Sequence, residues 1–501
     1  MIDSQNTFSR RRFLDRVGGA AALANVNSAA AATREPVRSK LLPGKPLRVK
    51  PVFTWTLPVK RELSSWRPYG GLATRADVDQ EARRIEDEVS KLAATAEFGL
   101  EPLPLAMVNR QEEASAAAEA HTDVFLVYAY DGPRQWLETL ENSGKPNVLF
   151  LRHKSGPFYC WYENAHYRFL RVNEDTLNQP SMDFDDVVVD DYAEVLWRLR
   201  AIFGLKNARG TKSLAIGGLK SYSVPGQKYG PAHVRDVWGY TLVTVSDEEV
   251  AERVRRARAD SARVGHAERQ AEELLSQPNV TLVTERKFVV NTFLALEVFK
   301  DLMKEHDCSN VGVANCMGSI IKVLDTPPCL LFSLLNDEGY TAFCHTDYTH
   351  TPPGVLLRWI SGKPSFVSNV HYPHQGMVTV AHCSTPRRMN GQDFEPTRIM
   401  THFESDYGAA TRVEFSKGQT LTNIVPNLTC TKWLGFRGRV DDTPNFPACR
   451  SQIDMTIEGD WRKLLKDLQG FHTVICYGDY LREVGYALKK TGIAWENVSE
   501  S

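Results

Sequence analysis

Hydrophobic residues recur along this chain with two spacings. VDQEARRIEDEVSKLAATAEF carries apolar side chains at three- and four-residue intervals and predicts an amphipathic helix; PRQWLETLENS and VNTFLALEVFKDLMKEH read the same way. Short, nearly unbroken apolar runs (DVFLVYAY, NVLFLRH, TKSLAIGG, YTLVTV, SNVGVANC and PPCLLFSLL) predict buried strands. The charge-rich stretch around 248–276 predicts one long helix with a solvated face of i,i+4 pairs. Strands alternating with helices imply parallel α/β sheets. After about residue 360 the pattern changes. SFVSNV, MVTVAHC, TRIMTHF, TRVEFSKG, LTNIVPNLT and SQIDMTIEGD are short strands separated by turn signals, the signature of a β-rich, barrel-like region. FHTVICYGDYLREVGYALKKTGI then reads as one strand and one helix.

A chain of 501 residues exceeds one ordinary core. The fold class that follows is α/β: two Rossmann- or flavodoxin-like parallel-sheet domains over 45–178 and 179–358, then a β-rich, barrel-like C-terminal domain over 359–490 with a final helix.

Composition narrows the function classes. A chain 42% hydrophobic and 24% charged is globular. Its 60 basic and 61 acidic residues give no field of one sign, so neither nucleic acid nor a membrane surface is an expected partner. The N-terminus is different in character. SRRRFL (Ser9 to Leu14), a small-residue stretch and an A-x-A-like site describe an export signal over 1–32, too short and too interrupted to span a bilayer. The paired arginines before Phe13 and Leu14 resemble a twin-arginine signal, although Asp15 stands where a lysine is commoner. That resemblance implies the twin-arginine export machinery as a partner and a periplasmic or extracytoplasmic location. The nine cysteines contain no C-x-x-C pair, which excludes a disulfide scaffold or zinc ribbon. Thiol redox chemistry through Cys344 and Cys383 is the weakest of the chemical readings. The glycine pair in AIGGLKSYSVPGQKYG lacks dinucleotide or P-loop spacing and reads as a tight turn.

The densest chemistry lies in LLNDEGYTAFCHTDYTH, Leu334 to His350. In an extended segment His345 and Asp347 share a face, as do Asn369 and His371; His382 ends the strand MVTVAHC. Of 13 histidines, His345, His350, His371, His374 and His382 fall between positions 345 and 382. Ligands of α/β sheets gather outside the carboxyl ends of strands, so imidazoles at several strand ends mark a candidate metal or sugar site.

The order of PPCLLFSLLNDEG, FCHTD, LLRWISGKPSFVSN, VTVAHC and FHTVICYGDYLREV resembles the L-fucose isomerase family, broadly with L-arabinose isomerase. The resemblance implies aldose–ketose isomerisation of a monosaccharide or derivative through an ene-diol, assisted by a divalent metal, usually manganese, in a homo-oligomer. The family's C-E-x-D type motif falls on Cys344-His345-Thr346-Asp347, so His345 stands for the glutamate that is both ligand and base while Asp347 remains. The second carboxylate falls on Asn369, and the histidine ligand on His382, with His371 as the alternative. The expected metal set is thus His345, Asn369 and His382. Asp347 and His345 are the expected catalytic groups, and His371, Asn369 and Glu338 the expected sugar contacts.

These exchanges alter the chemistry. Imidazole suits zinc, iron or cobalt better than manganese, and an amide can neither carry charge nor act as a base. Two readings follow: a metal-dependent sugar isomerase with Asp347 as leading base, or an exported sugar-binding protein that keeps the fold without the turnover.

Overall fold

The computed structural model describes residues 41–63, 70–171 and 182–500. The export segment expected over 1–32 lies outside them, as do residues 172–181 around the expected boundary of the first two domains.

The first sheet is wholly parallel and has six strands. Leu47–Thr54 pairs on one edge with Leu100–Pro102 and Ala106–Val108, and on the other with Val124–Ala129, followed by Asn147–Leu151 and Val187–Val189. Every residue of Val124–Ala129 and Asn147–Leu151 is buried, as a strand covered by helices on both faces requires. Helix Arg75–Thr95 starts at a capping box between Thr74 and Asp77 and buries Val78, Ile85, Val89 and Leu92 along one stripe. It also buries Glu81, which meets the fully enclosed Arg152 at 2.6 Å; Glu88 reaches the same guanidinium at 2.5 Å.

The second sheet is parallel too, in the spatial order Thr341–Phe343, Asn310–Val313, Lys212–Ile216, Thr241–Val245. Its strands therefore deliver residues 217–223, 314–316 and 344–350 at one edge.

The third sheet closes on itself. Thr420–Pro426, His472–Tyr477, Phe366–Val370, Met377–His382, Ser451–Glu458 and Lys432–Asp442 pair antiparallel in that order, and the last pairs back to the first, making a six-stranded barrel. Phe366, Val378, Val380, Phe436, Ile453, Met455 and Ile475 fill its interior. Ala494–Asn497 adds outside, parallel to Lys432–Gly435. The architecture is thus mixed α/β with two parallel-sheet regions and a closed C-terminal barrel.

Four local expectations need correction. TRIMTHF and TRVEFSKG are strands but not part of the barrel: Thr397–His402 pairs with Tyr407–Val413 and with Val280–Leu282 in a separate three-stranded sheet. PPCLLFSLL is not a strand: Cys329–Glu338 is a helix in which Leu330 to Asp337 are all buried. Burial on every side erases the 3.6-residue stripe that marks a helix in sequence. The charged stretch near 248–276 is two helices, Asp247–Ala259 and Ser261–Leu275. Asp260 breaks it because its carboxylate caps the second helix, accepting from the backbone N–H groups of Ala262 and Arg263. Lys432–Asp442, the strand that closes the barrel, was not anticipated, since Gly435, Gly438 and its charged residues dilute the β-branched signal. Among the described residues, no single helix is long and apolar enough to cross a membrane.

Candidate functional site

The carboxyl edge of the second sheet meets one rim of the barrel, and polar side chains from five segments converge there. After Lys212–Ile216, Gly217 and Gly218 adopt left-handed conformations (φ +75° and +97°) that turn the chain towards this edge. The Lys220 N–H then donates to Thr346 Oγ1 at 2.9 Å, and Ser221 Oγ donates to Asp347 Oδ2 at 2.8 Å. The Tyr222 hydroxyl lies 2.9 and 3.0 Å from the two ring nitrogens of His345. Residues 344–350 pass close over the neighbouring strand because position 312 is glycine. A Cβ there would stand 2.5 Å from the His345 carbonyl oxygen.

The barrel supplies the other rings. His382 ends one strand and His472 begins another. His345 lies 6.2 Å from His382 and 5.2 Å from His472, centroid to centroid, and His350 lies 5.2 Å from His472. Asn369 is the register partner of both His472 and Ala381, so these three share one face of the barrel wall, while His382 projects from the other.

Burial and mutual proximity set the charge state of the rings. Desolvation, reinforced by neighbouring His382, pushes the His345 pKa down to about 3. Desolvation takes His382 down to about 4 and holds His472 well below the ordinary imidazole range, with His350 and His345 adding to the effect on His472. These three rings are therefore neutral near pH 7 and available as ligands or proton acceptors. Burial alone would raise Asp347. The His350 ring, the Thr349 N–H and the Ser221 hydroxyl outweigh it and keep the carboxylate ionised, well below its usual range. Burial raises the pKa of Tyr222, which stays a phenol.

Two trios are spaced to hold a cation. In Cys344, His345 and His382, and again in Asp347, His350 and His472, one ligand atom from each residue lies within 4.8 Å of the others. In the second trio all three side chains are buried, and His350 Nε2 and His472 Nε2 have no hydrogen-bond partner among the described residues. Buried polar atoms are rarely left unmatched, so this donor set fits a divalent ion.

The residues expected from sequence divide accordingly. His345, Asp347 and His382 come together. Asn369 borders the group, but its amide nitrogen donates to Cys449 Sγ at 3.7 Å. His371 is half-buried, and burial lowers its pKa against the opposing pull of Asp454. Glu338 ends helix Cys329–Glu338, before the strand that leads to the site, and pairs with Lys300 at 2.6 Å. Cys344 adjoins Cys316, while Cys383 clusters with Cys329 and Cys449. Ser221, Tyr222, His350 and His472 were not assigned from the sequence. His350 already lay within the noted histidine cluster. His472 had only its position at a strand boundary to signal it.

No protein-family model and no curated protein matches the chain. Among solved structures, a carbohydrate transporter from Acidothermus cellulolyticus, in complex with myo-inositol, aligns at 12% identity. The alignment covers 64% of this chain and 89% of that one, with a TM-score of 0.17, too low to carry an argument about fold or function.

Proposed function

We propose that this chain is a metal-dependent sugar-converting enzyme that interconverts an aldose and a ketose through an ene-diol. The observation that carries the reading is the convergence of four imidazoles (His345, His350, His382 and His472) and the ionised Asp347 at the edge of a parallel sheet. A bound divalent ion would polarise adjacent carbonyl and hydroxyl oxygens of the sugar. The protein's own groups supply the rest. His345 and Asp347 can accept the carbon-bound proton, and the Tyr222 phenol, in contact with His345, can hydrogen-bond a sugar hydroxyl. With imidazoles dominating the donor set, zinc, iron or cobalt suits it better than the manganese of the resembled family. We read the two parallel-sheet regions as flavodoxin-like domains, and the protein as exported by the twin-arginine route and homo-oligomeric.

A second reading, sugar binding without turnover, is favoured by one observation: the position where the resembled family has its second carboxylate is Asn369, engaged with Cys449. The purified protein, loaded in turn with zinc, cobalt, iron(II) and manganese, should convert at least one pentose or 6-deoxyhexose, and chelation should abolish the conversion. Ligand-induced thermal stabilisation that survives chelation, with no aldose converted, would decide for the second reading.

A further inference from the structure

Proton placement in the buried trio is fixed by its neighbours. Thr349 has one hydroxyl proton, and its Oγ1 lies 2.8 Å from Asp347 Oδ1 and 2.6 Å from His350 Nδ1. An ionised carboxylate can only accept, and the Thr349 N–H donates to the same oxygen at 3.0 Å. The hydroxyl therefore donates to Asp347 and receives from His350 Nδ1–H. In the neutral ring this leaves Nε2 as a bare lone pair, buried and unpartnered among the described residues. A relay from ring N–H through hydroxyl to carboxylate orients the imidazole, as outer partners do for metal-bound histidines. His472 brings a second buried Nε2 without a partner.

The other trio is prepared differently. The Ser384 N–H donates to His382 Nδ1 at 3.3 Å, with Ser384 Oγ 2.8 Å from the same nitrogen. That arrangement puts the ring proton on Nε2 and occupies the remaining lone pair. Tyr222 faces both nitrogens of His345. Contact with Cys316, together with burial, holds Cys344 as a protonated thiol.

We infer that Asp347, His350 and His472 form the cation seat of this site, taking a zinc-, cobalt- or iron(II)-class ion through one carboxylate oxygen and two imidazole nitrogens. This rests on the metal-dependent reading above and sharpens it. Asp347 becomes a ligand, leaving His345, outside the coordination sphere, as the proton acceptor.

Cobalt(II), titrated into the metal-free full-length protein, tests the assignment. One equivalent should bind with visible ligand-field absorption and without the intense near-ultraviolet band of a thiolate–cobalt bond. His350→Ala and His472→Ala should each weaken binding by roughly 100-fold or more, and Thr349→Val by about 10-fold through loss of the relay. Cys344→Ser and His382→Ala should leave it unchanged. A thiolate band, binding lost in His382→Ala but kept in His350→Ala, or no binding at all would overturn the seat. The thiolate band is read on the unaltered protein, so a misfolded variant does not remove the test. Cobalt bound at this seat with no aldose converted supports the seat and defeats the proposed function. Aldose conversion undiminished in His350→Ala, with cobalt still bound, does the reverse.

Discussion

Ser221 Oγ donates to Asp347 Oδ2 at 2.8 Å, joining the turn after one parallel strand to the segment after another. Among the described residues this is the one hydrogen bond to that oxygen, with His350 Nδ1 next, at 3.8 Å. Ser221→Ala should strand a buried carboxylate oxygen and lower stability by about 1–3 kcal/mol in denaturant unfolding. An unchanged midpoint would mean that Oδ2 is solvated in the native protein.

The buried histidines predict acid sensitivity. With His382 at about 4 and His345 at about 3 when folded, against an ordinary value of 6.5, the unfolded chain binds more protons than the native one between these limits. Stability is thus retained above about pH 6.5 and falls as pH drops towards 4, by roughly 3 kcal/mol for His382 alone. Asp347 works in the same direction at lower pH, because a depressed carboxylate loses its contribution on protonation. Thermal unfolding followed from pH 7 to 4 should show the decline, and His382→Asn should make it shallower, with His345 and His472 carrying the remainder. A flat profile in the unaltered protein would refute the enclosed, neutral state of these rings.

Arg152 is fully enclosed between Glu81 and Glu88, with the Tyr128, Phe150 and Tyr159 rings 5.4–5.9 Å from its guanidinium. Arg152→Met should cost about 3–5 kcal/mol by removing the enclosed cation that Glu81 and Glu88 share and leaving them only the more exposed Arg84, at 3.8 and 3.0 Å. Adding Glu81→Leu and Glu88→Leu should recover part of the loss. Chemical denaturation of the two variants makes the comparison, and an equal or deeper loss in the triple variant would show that the apolar replacements cannot pack there.

Gly312→Ala should act on the site more than on the fold. Its Cβ would stand 2.5 Å from the His345 carbonyl oxygen, so the segment bearing His345 and Asp347 must move. The expected result is a stability loss of about 1–3 kcal/mol with a larger proportional loss of metal affinity. Unchanged cobalt binding in a folded variant would contradict the close approach.

The sequence made the fold legible where burial was one-sided or where whole strands were apolar, as in Val124–Ala129, Asn147–Leu151 and Met377–His382. It failed at Cys329–Glu338, whose burial on all sides leaves no periodicity to distinguish helix from strand. For the site, His345, Asp347 and His382 were found because they follow or end strands. His472 escaped the same rule because it begins one. In an antiparallel barrel the start of His472–Tyr477 lies beside the end of Phe366–Val370, so strand ends and beginnings share a rim. Ser221 and Tyr222 sat within a stretch read only as a glycine turn, and long-range convergence alone gives them chemical surroundings.

The closed ring of strands makes the site's failures separable. His382 and His472 lie on strands that both pair with Phe366–Val370, close to the level of Asn369, so their spacing is dictated by a hoop that has no free end. The residues arriving from the parallel sheet lack such a hoop and depend on contacts like that of Ser221 with Asp347. Damage on the sheet side should unseat Asp347 and His350 while the two barrel histidines keep their separation, whereas a breach in the hoop should disturb both halves at once.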